Sequence, residues 1–182
     1  YISQDYGRGL RLLKDFAETG KTNSSIKFLG LKKHPAMQYV GLQRSISTAE
    51  MEQYMGEDFG RLMPLFHQKW KALQAGAPFS IYHKFDVVRK KVIYTAALPL
   101  TEIPTDLESD MITGTLPAMQ VYSVLHQGPY RHIANAWSAA AMHLRSKQFK
   151  PLKKTPPMEV YWNNPKDPSE LELKSEILIP AE

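Results

Sequence analysis

Pro35-Ala36-Met37-Gln38 recurs as Pro117-Ala118-Met119-Gln120, an offset of 82 residues. Pro78-Phe79-Ser80-Ile81-Tyr82 has a counterpart in Pro157-Met158-Glu159-Val160-Tyr161 at 79, and Ala97-Leu98-Pro99 has one in Leu178-Ile179-Pro180 at 81. Three matches in one order, at nearly constant spacing, mark an internal duplication. A period this long means two copies of one supersecondary unit, not a solenoid of short repeats.

Outward from these matches, both copies carry the same elements. A strand comes first, at 38–44 and 118–126. A helix follows, at 48–75 (broken near Gly56 or Pro64) and at 130–149. Two strands close each copy, at 79–87 and 92–98, then at 158–162 and 173–179. Ser47-x-x-Glu50 has the spacing of a capping box, and Gly128-Pro129 places proline where a helix start tolerates it. Arg89-Lys90-Lys91 and the stretch 163–168 supply the turns. The expected fold is α+β: a tandem pseudo-twofold strand–helix–strand–strand repeat, with an antiparallel sheet and two helices on one face.

Ahead of the duplication, Asp5 to Thr19 has helical periodicity. Leu10, Leu13, Phe16 and Ala17 form one stripe, Gly20 is a stop signal, and Lys21 to Ser25 is polar like a linker. The stripe has no local partner. Residues 1–25 are therefore expected to be a helix and linker left from an upstream domain, with 26–182 the domain proper.

Composition narrows the chemistry. The chain has 182 residues, 43% hydrophobic, enough for a core without staples. It has no cysteine, which excludes disulfides, a thiolate nucleophile and cysteine-ligated metals. The net charge of +5 is spread over small groups (Lys32-Lys33, Arg89-Lys90-Lys91, Lys153-Lys154) instead of one stripe, so direct nucleic-acid binding by this chain is not expected. No apolar run spans a membrane and no signal segment opens the chain, so a cytoplasmic location is the expectation. His34, His67, His83, His126, His132 and His143 lack metal-ligand spacing, which argues against haem or any metal; no cofactor is expected.

Strand alternation predicts that Met119, Val121, Leu125, Phe79, Ile81, Phe85, Met158, Val160 and Trp162 face the helices. Tyr82, Tyr122, Tyr161 and Glu159 would then share the opposite face. A twofold arrangement of the copies would place an aromatic groove between the pseudo-symmetric halves, with few polar groups, as small-molecule pockets have. Glu159 aligns with Ser80, so only one copy supplies an acid. A carboxylate among tyrosines attracts a lipophilic cation, or, when desolvated, serves as a general acid or base. An exposed strand face carrying such residues is the competing structural explanation.

His126-Gln127-Gly128-Pro129-Tyr130 with Trp137, then Met158-Glu159-Val160-Tyr161-Trp162-Asn163-Asn164-Pro165, then Ser175-Glu176-Ile177-Leu178-Ile179-Pro180, together resemble the GyrI-like small-molecule-binding domain, also called the AraC-type effector-binding domain. The resemblance covers about Phe28 to the end. It implies a sensor or sequestration module for hydrophobic, often cationic compounds, multidrug binding and transcription regulation included. It makes Glu159 the pocket acid with Tyr161 beside it, and Trp137 a pocket wall or core. Tyr39, Tyr82, Tyr94 and Tyr122 join as ligand-binding candidates by topology only. Some members resemble hydrolases of cyclopropane-bearing toxins. That is the alternative function, with Glu159 and Tyr161 as the catalytic pair. A protein-interaction role, like that of a gyrase inhibitor, is a further reading. Tyr6-Gly7-Arg8-Gly9-Leu10-x-x-Leu13-Lys14 resembles the closing helix of polyketide-cyclase or START-type domains, which implies such a domain upstream.

Overall fold

A computed structural model describes residues 2–163 and 169–182, with side chains from Tyr6 onward. The Asn164-Pro165 part of the motif, and most of the expected 163–168 turn, lie outside the described residues. Among the described residues the fold is α+β, with antiparallel strands and three α-helices. The elements are α1 (Ile2–Thr19), β1 (Ser25–His34), β2 (Met37–Ser47), α2 (Met51–Pro64), β3 (Phe79–Asp86), β4 (Lys91–Leu100), β5 (Ile112–Leu116), β6 (Met119–Gln127), α3 (Ala134–Arg145), β7 (Met158–Tyr161) and β8 (Lys174–Ala181). The duplicated order is present: β2-α2-β3-β4 and β6-α3-β7-β8. Two strands were not expected. β1 precedes the first copy and β5 the second.

The chain forms two compact units. One contains Tyr1–Lys32, Val121–Leu152 and Tyr161–Glu182; the other contains Lys33–Gln120 and Lys153–Val160.

In the unit built around residues 33–120, the strands run β7-β3-β4-β2-β5. β2 pairs with β4 from Gln38↔Leu100 to Ser47↔Lys91, and with β5 from Met37↔Leu116 to Gly41↔Ile112. Tyr39 lies over Gly114. A Cβ there would sit 2.3 Å from the Tyr39 hydroxyl, so only glycine lets β5 come this close. At the start of α2, Glu50 accepts from the Ser47 amide at 3.1 Å and the Ser47 hydroxyl at 2.7 Å, half of the expected box. Pro64 lacks an amide proton, and the helix widens after it into a π turn, with the Trp70 amide bonded to the Leu65 carbonyl at 2.8 Å. The break expected near Gly56 or Pro64 thus falls at Pro64.

α2 is fixed to the sheet by a buried polar network. Asp58 is fully buried. It accepts from Arg44 Nε at 2.9 Å, Arg44 Nη2 at 2.6 Å and the Tyr94 hydroxyl at 2.8 Å. A buried carboxylate persists only when paired and hydrogen-bonded in this way.

In the other unit the strands run β1-β6-β8. Gly128, at φ 134, opens the turn into α3. A Cβ there would lie 2.2 Å from the Asn23 carbonyl oxygen. One core cluster joins Tyr122 and Val124 of β6, Ala136 and Ala140 of α3, Phe149, and Ile177 and Ala181 of β8, with Trp137 and Ile179 packed against it. α1 attaches to this unit by its polar side. Asp15, 8% exposed, meets His132 Nε2 at 2.7 Å and Arg131 Nη2 at 3.2 Å. Tyr6, Leu10, Leu13 and Phe16 are each more than half exposed. No helix among the described residues is long and apolar enough to cross a membrane.

Candidate ligand-binding site

Residues directly paired across antiparallel strands share a face. Ser80 pairs with Glu159 and with Ala96, and Tyr82 pairs with Tyr94. Tyr94 reaches Asp58 of α2, so Glu159, Ser80, Tyr82 and Tyr94 lie on the face that α2 covers. Phe79, Ile81 and Val160 take the other face, with Tyr39 and Thr95. The face assignment drawn from alternation is therefore reversed. The same correction applies to β6, where Tyr122 and Val124 pack under α3, and Ser123 points the other way. Phe79, Ile81 and Met158 are as buried as Ser80 and Glu159. Strands covered on both faces lose the apolar–polar alternation that would label them.

Glu159 is 4% exposed. The Tyr82 hydroxyl donates towards its Oε2 at 3.5 Å, at the long limit of a hydrogen bond. The Tyr82 amide donates to the Pro157 carbonyl at 3.0 Å, tying β3 to the segment that leads into β7. A surface hollow of about 310 Å³ is lined by Tyr82, His83, Thr155, Pro156, Pro157 and the lysines 153 and 154. Tyr82 thus borders both this hollow and the Glu159 carboxylate. Burial lowers the pKa of His83, whose Nε2 lies 2.8 Å from Thr95 Oγ1.

The other sequence candidates distribute as follows. Tyr94 commits its hydroxyl to Asp58, and burial, reinforced by that carboxylate, raises its pKa far above the usual phenol range. Tyr39 makes an edge contact with Phe79, centroids 5.8 Å apart, on the face opposite Glu159, so it is not brought to the acid. In the other unit, Tyr122 stacks on Phe149 at 4.1 Å and bonds His143 Nδ1, while Trp137 packs into the α3 core. Trp137 is only partly buried there. Tyr161 has the parity of Glu159 along β7 and meets Tyr130 edge-on, with centroids 5.7 Å apart. Among the described residues, no group of three His, Cys, Asp or Glu side chains is placed to hold a metal ion.

Sequence reasoning missed one acid. Glu176 is 2% exposed on β8 and faces away from α3, since its neighbour Ile177 lies in the α3 core. It accepts from Ser123 Oγ, from Lys32 Nζ, and from Trp162 Nε1 at 2.9 Å. Its alignment with Thr95 in the duplication is a signal that could have found it.

Residues 31–182 match the GyrI-like small molecule binding domain, and the chain belongs to this family. No curated protein matches the chain. Among solved structures, the EcmrR C-terminal domain is similar at 18% identity and TM-score 0.64, over 87% of this chain and 98% of that one. EcmrR in its DNA complex is similar over 100% of this chain and 67% of that one, at 18% identity and TM-score 0.68. SAV2435 bound to tetraphenylphosphonium gives 14% identity and TM-score 0.60, over 86% of this chain and 94% of that one. At these identities the structures show a shared fold.

Proposed function

We propose that this domain binds lipophilic organic cations, as a sensor or sequestration module, with Glu159 as the counter-charge. The observation that carries this is the position of Glu159. It is a buried carboxylate on a strand face beside Tyr82, where the other copy of the duplication has Ser80. The first copy builds the same strand with a hydroxyl, so the fold does not require the acid. A desolvated carboxylate edged by aromatic rings offers a cation both charge and π faces. The family membership and the phosphonium-bound neighbour support the same ligand class.

The test is a fluorescence displacement panel of lipophilic cations, neutral aromatics and anions of similar size. Saturable binding confined to cations, lost in Glu159→Gln, is the expected result. Equal binding of neutral compounds, or unchanged binding by the variant, would refute the counter-charge role.

A second reading is hydrolysis of a strained-ring electrophile. The approach of the Tyr82 hydroxyl to Glu159 favours it, because a carboxylate base and a phenol donor are the two groups such a reaction needs. Tyr82 would take the place expected of Tyr161. Product formation with a cyclopropane electrophile, abolished in both Glu159→Gln and Tyr82→Phe, would establish it.

The first 25 residues are proposed to close an upstream START-type domain. The exposed stripe of Tyr6, Leu10, Leu13 and Phe16 supports this: it is the surface such a domain would cover.

A further inference from the structure

β3, β4 and β2 are neighbours within one unit, and their ladder fixes which side chains share a face. Tyr82 pairs with Tyr94, under α2. Strict alternation would return Lys84 to that same face. Instead the β3–β4 register shifts between Tyr82 and Lys84, and Lys84 pairs with Ile93, on the open face. The bulge turns a lysine out from under the helix. Ser45 also pairs with Ile93, and Asp86 pairs with Lys91, so all of them look out from the open face.

Arg89 completes the group from the β3–β4 turn. Its amide donates to Asp86 Oδ1 at 2.8 Å, and the Lys90 carbonyl accepts from the Thr48 amide at 2.9 Å. The turn that presents Arg89 is thus tied on both sides. Lys84, Asp86, Arg89 and Lys91, with Ser45 and Ile93, line a hollow of about 220 Å³. In the same unit Arg44, Arg61 and Lys69 are each paired with a carboxylate. Among the described residues, Lys84, Arg89 and Lys91 enter no ion pair, and the carboxylate of Asp86 serves the Arg89 amide. The duplication supplies a contrast. At the offset of 81, Arg89 and Lys91 correspond to Glu170 and Glu172. The repeated architecture accepts acids here, so it does not call for cations.

We propose that this hollow binds a phosphomonoester, with Arg89, Lys84 and Lys91 as its counter-charges and Ser45 as a hydroxyl donor. A phosphomonoester carries about −1.5 to −2 charges at neutral pH and three strong acceptor oxygens. A planar guanidinium grips two of them at once, and ammoniums from adjacent strands add point charges at the third. A carboxylate, with one charge and two coplanar oxygens, leaves part of this set unused. The hollow is on the sheet face opposite Glu159, so the site is independent of the function proposed for that acid.

The experiment is titration of the ¹⁵N-labelled chain with phenyl phosphate at fixed ionic strength, following the backbone amide resonances of Arg89 and Ile93. The expected result is a saturable shift in the wild type. Affinity should fall at least about tenfold in Lys84→Gln and in Lys91→Gln, each losing one charged hydrogen bond, and about threefold in Ser45→Ala, which alters no charge. These three side chains are exposed, so the variants keep the fold. Glu159→Gln should bind as the wild type does. Vesicles containing phosphatidic acid separate two sources of the group. Broadening of the spectrum on vesicles, reversed by phenyl phosphate, assigns a lipid headgroup, and an unchanged spectrum assigns a soluble monoester. A shift that does not saturate, or that acetate reproduces at the same ionic strength, overturns the proposal, because it marks general screening of a basic turn. So does a shift that survives both lysine variants, or one lost in Glu159→Gln.

Discussion

Ser80 and Glu159 stand directly opposite one another in the β3–β7 ladder, and they are the same position in the two copies of the duplication. The flanking pairs, Phe79↔Val160 and Ile81↔Met158, exchange under the same correspondence. A local twofold axis of this strand pair therefore passes between a hydroxyl and a carboxylate. The one point where the copies meet on equal terms is a point where their chemistry differs.

This relationship predicts that the acid can be moved. Glu159→Ser should abolish cation binding. The double variant Ser80→Glu/Glu159→Ser restores a carboxylate on the same face, across the axis, and should recover affinity to within about tenfold of wild type, roughly 1.4 kcal/mol. Calorimetry on the three proteins checks this. A double variant as inactive as the single one would mean that the surroundings of Glu159 matter more than the charge.

Tyr82→Phe removes a hydroxyl whose contact with Glu159 is long, at 3.5 Å. The ring remains. Cation affinity should fall by no more than about tenfold, within the ~0.5–1.5 kcal/mol of an ordinary hydrogen bond. A loss as complete as that of Glu159→Gln would instead mark the phenol as a principal group of the site.

The Arg44–Asp58–Tyr94 network predicts a stability effect distinct from binding. Asp58→Ala strands a guanidinium and a buried phenol under α2, and should cost about 3–5 kcal/mol. Tyr94→Phe leaves the ion pair intact and should cost about 1 kcal/mol. Chemical denaturation of the two variants gives both values.

His126 should make the fold acid-sensitive. It is fully buried, and burial first, then the charge of His132, depress its pKa to about 4. Its Nε2 lies 3.0 Å from Ser24 Oγ. Between an unfolded value of about 6.5 and the folded value, the unfolded chain binds the extra proton. The contribution is complete above pH 6.5 and lost as the pH falls towards 4. Melting temperatures measured across this window should fall with pH, and His126→Gln should flatten the slope.

The duplication was legible because its matches are local strings, and it carried the fold class with it. The sheet faces were not, since Phe79 and Ile81 are buried as deeply as Ser80 on the other side. β1 escaped notice because Ile26, Phe28, Leu29 and Leu31 do not alternate, with Gly30 at φ 77 interrupting the run. β5 is five residues with a glycine at its centre. Glu159 could be singled out from alignment against Ser80. Glu176 could have been found by the same comparison with Thr95. Its partners Lys32 and Ser123 lie 144 and 53 residues away, a proximity only the fold creates.

The α1 stripe offers a check on its proposed role. Leu10→Lys with Leu13→Lys would ruin a core helix. Here both leucines are exposed, so the melting temperature of this chain should stay within the effect of about 0.5 kcal/mol per surface substitution. A large loss of stability would show that the stripe is covered within this chain.

The central claim is that a buried carboxylate on β7 selects cations. Isothermal titration of tetraphenylphosphonium into wild type and Glu159→Gln tests it most directly. Saturable binding by the wild type, weakened at least about a hundredfold in the variant, some 2.7 kcal/mol, is the predicted result. Binding of equal strength by both proteins would contradict it.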